Sequence, residues 1–246
     1  MKNTKLAAIL SGLMISCAVQ ASHKPHWGYT GEEGPQHWGE LSPDYATCAT
    51  GRNQSPINLT GMIKGDLPEL QVNYPNKASE IVNNGHSIQV NVQPGDSITV
   101  DGHSYALKQF HFHSPSENTI EGESFPLEAH FVLADAEGNL AVIAVMYRSG
   151  AANAELEKVW EQMPAHMGDE AKLEHAVAPG LLLPANHDYY RFNGSLTTPP
   201  CSEGVAWYVI KQIDTVSDEQ IEKFAHVMHH NNNRPVQPVN ARVVIQ

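Results

Sequence analysis

Basic residues are scarce in this chain of 246 residues, which has 15 lysines and arginines against 27 aspartates and glutamates. The formal net charge at pH 7 is therefore −12. A surface with this excess of acidic groups repels nucleic acid and anionic lipid and favours solubility. We therefore expect no nucleic acid and no other polyanion as a partner.

Internal repeats and low-complexity linkers are also missing, so the simplest prediction is a single domain. The N-terminus differs from the rest: two lysines precede an apolar run over residues 6–15, and small residues end at Ala21. This pattern is typical of a secretory signal peptide, and the run is too short to span a membrane. We therefore predict a signal peptide over residues 1–21, one domain over residues 22–246, and a periplasmic or secreted mature protein without membrane insertion.

Cysteine is rare, with three residues in the chain. Cys17 lies in the predicted signal peptide. In an alternative interpretation it is acylated as part of a lipoprotein signal, but Met14 and Ile15 fit such a signal poorly. Removal of Cys17 leaves Cys48 and Cys201 as an even pair in an oxidising compartment, which predicts a disulfide; the alternative is two buried thiols. In the chain-entropy description, closing so long a loop contributes about 5 kcal/mol to stability.

Helical patterns are few, and short alternating apolar runs separated by turn residues fill residues 80–145. Hairpin turns at this spacing predict a mostly antiparallel sheet. The predicted strands cover residues 88–92, 98–100, 105–113, 127–134 and 140–147. One helix is expected to end at Pro164, and a second, over residues 218–224, begins with a capping box of Ser217 and Gln220. The chain is therefore assigned to a predominantly β (α+β) class with a few peripheral helices.

Two histidines one residue apart, His111 and His113, are the most informative feature of the sequence. Alternate side chains of a strand share a face, so the two imidazoles lie side by side. A third, His130, lies in another alternating run that can pair with the first. Three neutral imidazoles with an open fourth position are typical of a catalytic zinc site, whereas structural zinc sites are closed and usually contain cysteine. The alternative for so short a pattern is a group of histidines on a solvated face.

Polar residues on the same strand faces favour the zinc site. Gln109 and Glu128 each lie two residues before a histidine, so each shares that residue's face and can accept its second ring N–H. A zinc site needs such partners, and surface histidines do not. We therefore predict one zinc ion per chain, held by His111, His113 and His130.

Eight short segments occur in an order that resembles the α-class carbonic anhydrases, in their exported bacterial form. The segments are residues 26–29 (HWGY), 54–57 (QSPI), 83–86 (NNGH), 109–113 (QFHFH), 116–119 (SENT), 128–132 (EAHFV), 195–200 (SLTTPP) and 234–238 (RPVQP). No single segment is decisive, but together they run over almost the whole mature chain. The resemblance implies a central twisted sheet of about ten strands. It also implies a zinc-dependent lyase that converts carbon dioxide reversibly to bicarbonate and a proton.

In this family, zinc hydroxide attacks carbon dioxide, and the resemblance assigns residues to that step. Thr197 is expected to accept the proton of the hydroxide in a hydrogen bond and to donate its own proton to Glu117. Thr198 is expected to contact the substrate. By position, five apolar residues match the wall against which carbon dioxide binds, although sequence alone would assign them to the core. They are Val132, Val142, Leu196, Val205 and Trp207.

The last step of the family reaction exports a proton. By resemblance, His86 is the proton shuttle, while Tyr29 and Asn84 order the intervening waters. The ordinary histidine pKa of about 6.5 suits this role, because zinc-bound water has a similar pKa. In carbonic anhydrases generally, the pKa of that water is about 7. Without the resemblance, His86 would be interpreted as a turn residue.

Two other function classes compete with this interpretation. Some carbonic anhydrase-like proteins have lost a zinc ligand and serve as binding modules, but all three histidines, Glu117 and Thr197 are present here. A zinc hydrolase acting on esters is the other alternative. The sequence does not decide between a monomer and a homodimer.

A second metal site is a further alternative. Glu222, His226 and His230 share helical spacing, but this stretch runs into three asparagines at residues 231–233 and is expected to fray.

Overall fold

The computed structural model of the chain describes residues 25–246. The predicted signal peptide and Cys17 lie outside the described residues. None of the helices within residues 25–246 is both long enough and apolar enough to cross a membrane.

Strands dominate the described part of the chain, as predicted. They are β1 (Asn58–Leu59), β2 (Gln71–Asn73), β3 (Ala78–Asn83), β4 (Ile88–Asn91), β5 (Ser97–Val100), β6 (His103–His113), β7 (Thr119–Ile120), β8 (Leu127–Ala134), β9 (Leu140–Ser149), β10 (Glu170–Val177), β11 (Tyr189–Ser195), β12 (Glu203–Ile210) and β13 (Asp214–Val216). The helices are α1 (Trp38–Leu41), α2 (Thr47–Thr50), α3 (Ala154–Trp160) and α4 (Asp218–Met228), with single 3-10 turns at Gly31–Glu33, Pro43–Tyr45 and Pro179–Leu182. All five predicted strands are present, with ends that shift by at most two residues.

Eleven of these strands form one sheet, in the order β10-β3-β4-β6-β8-β9-β12-β11, with β13 beside β9 and with β5 joining β2 to β6. Most neighbours are antiparallel; β12 and β13 both run parallel to β9. The strands β1 and β7 form a separate parallel pair. The predicted mostly antiparallel central sheet is confirmed, with eleven strands rather than about ten.

The alternation of β6 separates an aromatic core from the polar face of the sheet. Phe110 and Phe112 are fully buried on one face. Phe112 packs edge-on against Trp160 of α3, with ring centroids 4.7 Å apart, and lies 6.3 Å from Phe224 of α4. Burying two phenylalanines contributes roughly 3–6 kcal/mol relative to leaving them exposed. This burial fixes which residues of β6 face the other way.

The two longer helices differ slightly from their predicted limits. The Asn153 side chain caps α3, which ends one turn before Pro164. The predicted capping box of α4 is present, but the helix runs to Met228 instead of ending at Phe224. These two side chains lie four residues apart and are both buried, so the extra turn adds to the apolar face of the helix. His229 then adopts a left-handed conformation, with φ 63°, and ends the helix.

The predicted disulfide is present. Cys48 of α2 and Cys201 are 153 residues apart in the chain, and their Cα atoms are 5.0 Å apart. The backbone N–H of Cys201 donates to the carbonyl of Thr198 at 2.8 Å. The bridge therefore holds the segment that contains Thr197 and Thr198 against the N-terminal part of the molecule.

Candidate metal centre

The three predicted histidines meet on the face of the sheet opposite the aromatic core. Strands β6 and β8 are antiparallel neighbours, and their register places His111 directly opposite His130. His113 follows on the same face of β6. One ring nitrogen from each histidine lies within 4.8 Å of the others, and no other group of this kind is found within residues 25–246. The structure thus brings together the three residues that the sequence singles out.

Gln109 and Glu128 occupy the predicted positions beside two of these rings. The Nδ1–H of His111 donates to Oε1 of Gln109 over 2.8 Å, and the Nε2–H of His130 donates to Oε1 of Glu128 over 2.9 Å. These bonds fix which nitrogen of each ring carries the hydrogen. Nε2 of His111 and Nδ1 of His130 are left with free lone pairs directed at the same point.

The third ring has a partner that sequence reasoning missed. Nδ1 of His113 donates to the backbone carbonyl of Asn232, 2.7 Å away. The Asn232 side chain, which is fully buried, accepts from the N–H of Ser114 and donates to the carbonyls of Phe112 and His86. Because every residue type has a backbone carbonyl, the amino-acid type at position 232 does not indicate this hydrogen bond. The only pointer in the sequence is the adjoining segment over residues 234–238.

The three rings suit a metal ion. Nε2 of His113 is buried and has no hydrogen-bond partner among the described residues. Burial lowers the pKa of His113, and it lowers those of His111 and His130 well below the ordinary value. All three rings are therefore neutral at pH 7, which is the form that binds metals. A set of three neutral imidazoles, without cysteine, is the donor set of a catalytic zinc site rather than a structural one.

Glu128 is a fully buried carboxylate with an unusually complete set of donors. Besides His130, it accepts from the backbone N–H of Glu117 at 2.6 Å, and from the backbone and side-chain N–H groups of Asn118 at 2.9 and 2.8 Å. Burial raises the pKa of Glu128, and the bonds from Asn118 oppose that effect. Glu128 therefore both orients His130 and fixes the turn that follows β6.

Glu117 and Thr197 also meet beside the histidines. Oε1 of Glu117 accepts from the backbone N–H of Arg234 at 2.8 Å, and the Thr197 side chain lies close enough to the same carboxyl group to lower its pKa. Oε2 of Glu117 lies 3.5 Å from Nε2 of His113. Burial raises the pKa of Glu117 well above its ordinary value, while the bonds from Arg234 and Thr197 lower it. A cation held by the histidines would also favour the carboxylate, because it brings an opposite charge close.

Arg234 connects this carboxylate to the disulfide. Its side chain is buried, with 1% exposed, and its guanidinium donates to Oε1 of Gln54 and to the carbonyls of Ser55 and Cys48. Its own backbone N–H meets Glu117. Sequence reasoning used Arg234 only as part of a matching segment, because a buried role for an arginine cannot be seen from its spacing.

An apolar wall lies next to the histidines, and its five predicted residues belong to one cluster. Val142, Val205 and Trp207 are buried there, and Val132 and Leu196 pack against them. The Trp207 ring stands edge-on to His130, with centroids 5.0 Å apart. Thr198 follows Thr197 and is partly exposed. The wall is thus both a part of the core and a side of the site.

His86 lies at what we call the mouth of the site: it is partly exposed, and its carbonyl accepts from the side chain of Asn232, whose own carbonyl accepts from His113. An aromatic side chain that the sequence did not connect with it covers the ring. The His86 ring stacks on Trp27, with centroids 3.6 Å apart and planes 9° apart. Burial, together with the neighbouring His26 and His230, lowers the pKa of His86 to about 4. The expectation of an ordinary pKa near 6.5 is therefore wrong for this geometry. The cause is contact with residues distant in the chain.

Asn84 and Tyr29 lie next to His86. Oδ1 of Asn84 accepts from the backbone N–H groups of His86 and Ser87, at 2.9 and 2.8 Å, so this side chain shapes the turn. Gly85 occupies the left-handed region there, with φ 83°. The Tyr29 hydroxyl is buried and without a partner among the described residues, and its ring lies 6.5 Å from that of His86.

The alternative metal site on the last helix is not formed. Because α4 ends at Met228 and His229 turns the chain, His230 does not continue the helical face of Glu222 and His226. Within residues 25–246, the only group of metal-binding side chains is the one on β6 and β8.

Comparison with known proteins gives a consistent result. The family model described as eukaryotic-type carbonic anhydrase matches residues 33–246. The chain is 49% identical over 235 residues to a carbonic anhydrase of Pectobacterium atrosepticum, covering 95% of this chain and 96% of that relative. It is 48% identical to a carbonic anhydrase of Neisseria gonorrhoeae, covering 97% and 94% of the two chains.

The fold is also similar to solved structures. The α-carbonic anhydrase of Thermovibrio ammonificans, determined in complex with the inhibitor sulfanilamide, superposes with a TM-score of 0.89. The two sequences are 51% identical, and the match covers 91% of this chain and 100% of the other. With this likeness and the geometry of the three histidines, the chain belongs to the α-class, eukaryotic-type carbonic anhydrase family.

Proposed function

We propose that the chain hydrates carbon dioxide reversibly, using one zinc ion held by Nε2 of His111, Nε2 of His113 and Nδ1 of His130. Hydration of carbon dioxide is the general activity of the family. The observation that carries the assignment to these residues is the convergence of three neutral ring nitrogens within 4.8 Å. When bound, zinc supplies a Lewis acid that makes water a nucleophile near neutral pH.

Thr197 and Glu117 orient the nucleophile. A threonine hydroxyl has one hydrogen, and Thr197 is placed to donate it to the buried Glu117 carboxyl group, whose Oε2 has no other partner among the described residues. The hydroxyl oxygen of Thr197 is then restricted to accepting. A nucleophile beside it must present a hydrogen to Thr197, which turns its own lone pair toward the substrate. Because Arg234 and Glu128 hold the segment around Glu117, this orientation is fixed before substrate enters.

The apolar wall provides the substrate site. Carbon dioxide has no net charge and no hydrogen-bond donor, so an apolar surface binds it without leaving polar groups unpaired. Val142, Val205 and Trp207 form a dry surface directly beside His130. Thr198, two residues after Leu196 of this wall and partly exposed, is assigned a contact with the substrate. The same wall excludes water from the reacting atoms.

Proton release sets a second requirement. An acid with a pKa near 7 that is reprotonated at about 10¹⁰ M⁻¹s⁻¹ can release only about 10³ protons per second directly to water. His86 is the relay at the mouth of the site. It is neutral at pH 7, because burial and its neighbours hold its pKa at about 4. Transfer to it from an acid with a pKa near 7 runs uphill, so the proton must leave His86 quickly for a further acceptor.

We also propose that the protein is exported. Residues 1–21 are taken to be a signal peptide, and residues 22–246 to be one domain in the periplasm or outside the cell. The Cys48–Cys201 disulfide supports this, since such bridges persist in oxidising compartments.

The test is stopped-flow hydration of carbon dioxide by the mature chain. Thr197→Val removes the orienting hydroxyl and is expected to lower kcat/KM by about 100-fold. Thr119→Val is the matched control, because it removes a hydroxyl that bonds to Asn58 on the separate two-stranded pair. Equal kcat/KM for the two variants would contradict the orienting role. Turnover of esters without hydration of carbon dioxide would contradict the function itself.

A further inference from the structure

Three histidines from three separate segments meet at the mouth of the site. His26 precedes the first 3-10 turn, His86 lies between β3 and β4, and His230 follows α4. The rings of His26 and His86 are 6.4 Å apart. The Tyr29 ring is 6.5 Å from the ring of His86 and 5.8 Å from the ring of His230. Only His86 has a role so far.

The position of His230 is fixed by its neighbours in the chain. The left-handed turn at His229 directs the chain away from the helix axis. Two residues beyond His230, the buried Asn232 side chain donates to the carbonyl of His86 at 3.0 Å. This bond links the backbone after α4 to the loop that carries His86. His230 is therefore an exposed ring on an anchored segment rather than on a free end.

The hydrogen bond of His230 determines which of its nitrogens is available. Nδ1 lies 3.0 Å from the carbonyl of Asn231 and donates to it. In the neutral ring this leaves the lone pair on Nε2. Nε2 of His230 is thus able to accept a proton at the mouth of the site.

The charges around His86 favour passing a proton outward. The titratable groups near this ring are His26, His230 and the Tyr29 phenol. Asp44 and Tyr45 line the same cavity as His86, and a carboxylate oxygen of Glu33 lies 3.6 Å from His26. Burial under Trp27 and any charge on His26 or His230 disfavour a proton on His86. A proton that reaches His86 is therefore held weakly, and the exposed histidines are its nearest acceptors.

We propose that His230 is a second proton-transfer residue of this enzyme. Its Nε2 takes up the proton that leaves the site, directly through water or by way of His86, and the resulting imidazolium gives that proton to a base in solution. The ring returns to its neutral form, so the cycle leaves no net change. This role rests on the proposed function.

His230 suits the role better than His26. Nε2 of His26 lies 3.6 Å from a carboxylate oxygen of Glu33, so this ring nitrogen already faces a protein group. Within residues 25–246, no carboxylate oxygen lies within 4.0 Å of a ring nitrogen of His230. Nε2 of His230 is therefore open to bases in solution, whereas Nε2 of His26 faces the Glu33 carboxylate.

The kinetic test compares His230→Ala with His226→Ala in the zinc-loaded enzyme. His226 is also an exposed histidine and lies on α4, where its ring is 6.1 Å from that of His229. In weak buffer, His230→Ala is expected to lower kcat for hydration and to leave kcat/KM unchanged, with recovery when imidazole is added. The His86→Ala, His230→Ala double variant is expected to lose more kcat than either single variant. Kinetics identical to those of His226→Ala, or a parallel fall in kcat and kcat/KM, would overturn the proposal.

A second measurement needs no activity. In zinc-free protein, NMR titration of the His86 ring should give a midpoint near 4, and His230→Ala should move it upward because one positive neighbour is lost. His226→Ala should leave it in place. An unmoved midpoint in His230→Ala would overturn the claim that the charge of His230 acts on His86. A wild-type enzyme without hydration activity would overturn the proposed function, whereas an active enzyme indifferent to His230→Ala would overturn only this inference.

Discussion

The carbonyl oxygen of Asn232 lies 2.7 Å from Nδ1 of His113, although the two residues are 119 positions apart in the chain. The supports of His111 and His130 are side chains on their own strands, two residues away. Each ring thus has one nitrogen occupied and one free. The geometry of the centre depends on these three hydrogen bonds as much as on the rings.

Zinc affinity should fall when a support is removed and all three rings remain. Gln109→Ala is expected to weaken zinc binding by about 10- to 100-fold, because His111 loses the bond that fixes its orientation. Gln93→Ala, an exposed residue after β4, is the control. Competition with a chelator of known affinity measures the difference. Equal zinc affinity in the two variants would show that Gln109 does not support the centre.

The disulfide should stabilise both the fold and the segment around Thr197. Replacing Cys48 and Cys201 together by serine is expected to lower the free energy of unfolding by about 2–5 kcal/mol, measured by denaturant titration. We also expect kcat/KM to fall, since Cys201 holds the backbone at Thr198. Mass spectrometry of a non-reduced digest of exported protein should show the linked peptides. Free thiols at both positions in the exported protein would contradict the claim that a disulfide holds the segment around Thr197.

Because of His86, the free energy of unfolding should depend on pH below about 6.5. Its pKa is about 4 in the folded chain, below the ordinary value of about 6.5 expected when unfolded. Between these values the unfolded state binds the extra proton, so the free energy of unfolding falls as the pH falls from about 6.5 to about 4. His86→Asn should show a shallower fall over this window than His229→Asn, whose ring lies outside the mouth. The same slope in both variants would mean that His86 titrates normally in the folded state.

The relay role that we propose for His86 can be separated kinetically from the attack on carbon dioxide. His86→Ala is expected to lower kcat in weak buffer and to leave kcat/KM nearly unchanged, because the latter reports only the events up to the attack. Imidazole in solution should restore kcat. A parallel fall in both constants, or no recovery with any buffer, would show that His86 is structural.

The sheet and the cluster of three histidines could be predicted because their signals are local. The period of two in β6 sends Phe110 and Phe112 to one side and His111 and His113 to the other. Because the phenylalanines are buried in the core, the two histidines must lie on the opposite face of the sheet. The supports of His111 and His130 follow from the same period, since they lie two residues before the ligands.

The remaining features depend on contacts between distant segments. The sequence does not predict that the carbonyl of Asn232 accepts from His113, because every residue has the same group. The low pKa of His86 arises from stacking on Trp27 and from histidines of two other segments. The end of α4 depends on the packing of Met228. None of these could be inferred from local spacing.

The central claim is that carbon dioxide hydration depends on one zinc ion at His111, His113 and His130. The most direct test is to remove metal with a chelator and return zinc in steps, measuring hydration by stopped-flow and bound metal by elemental analysis. The account predicts no activity above background without metal, a linear recovery, and a break at one zinc per chain. Full activity in metal-free protein, or zinc binding without recovery of hydration, would contradict it.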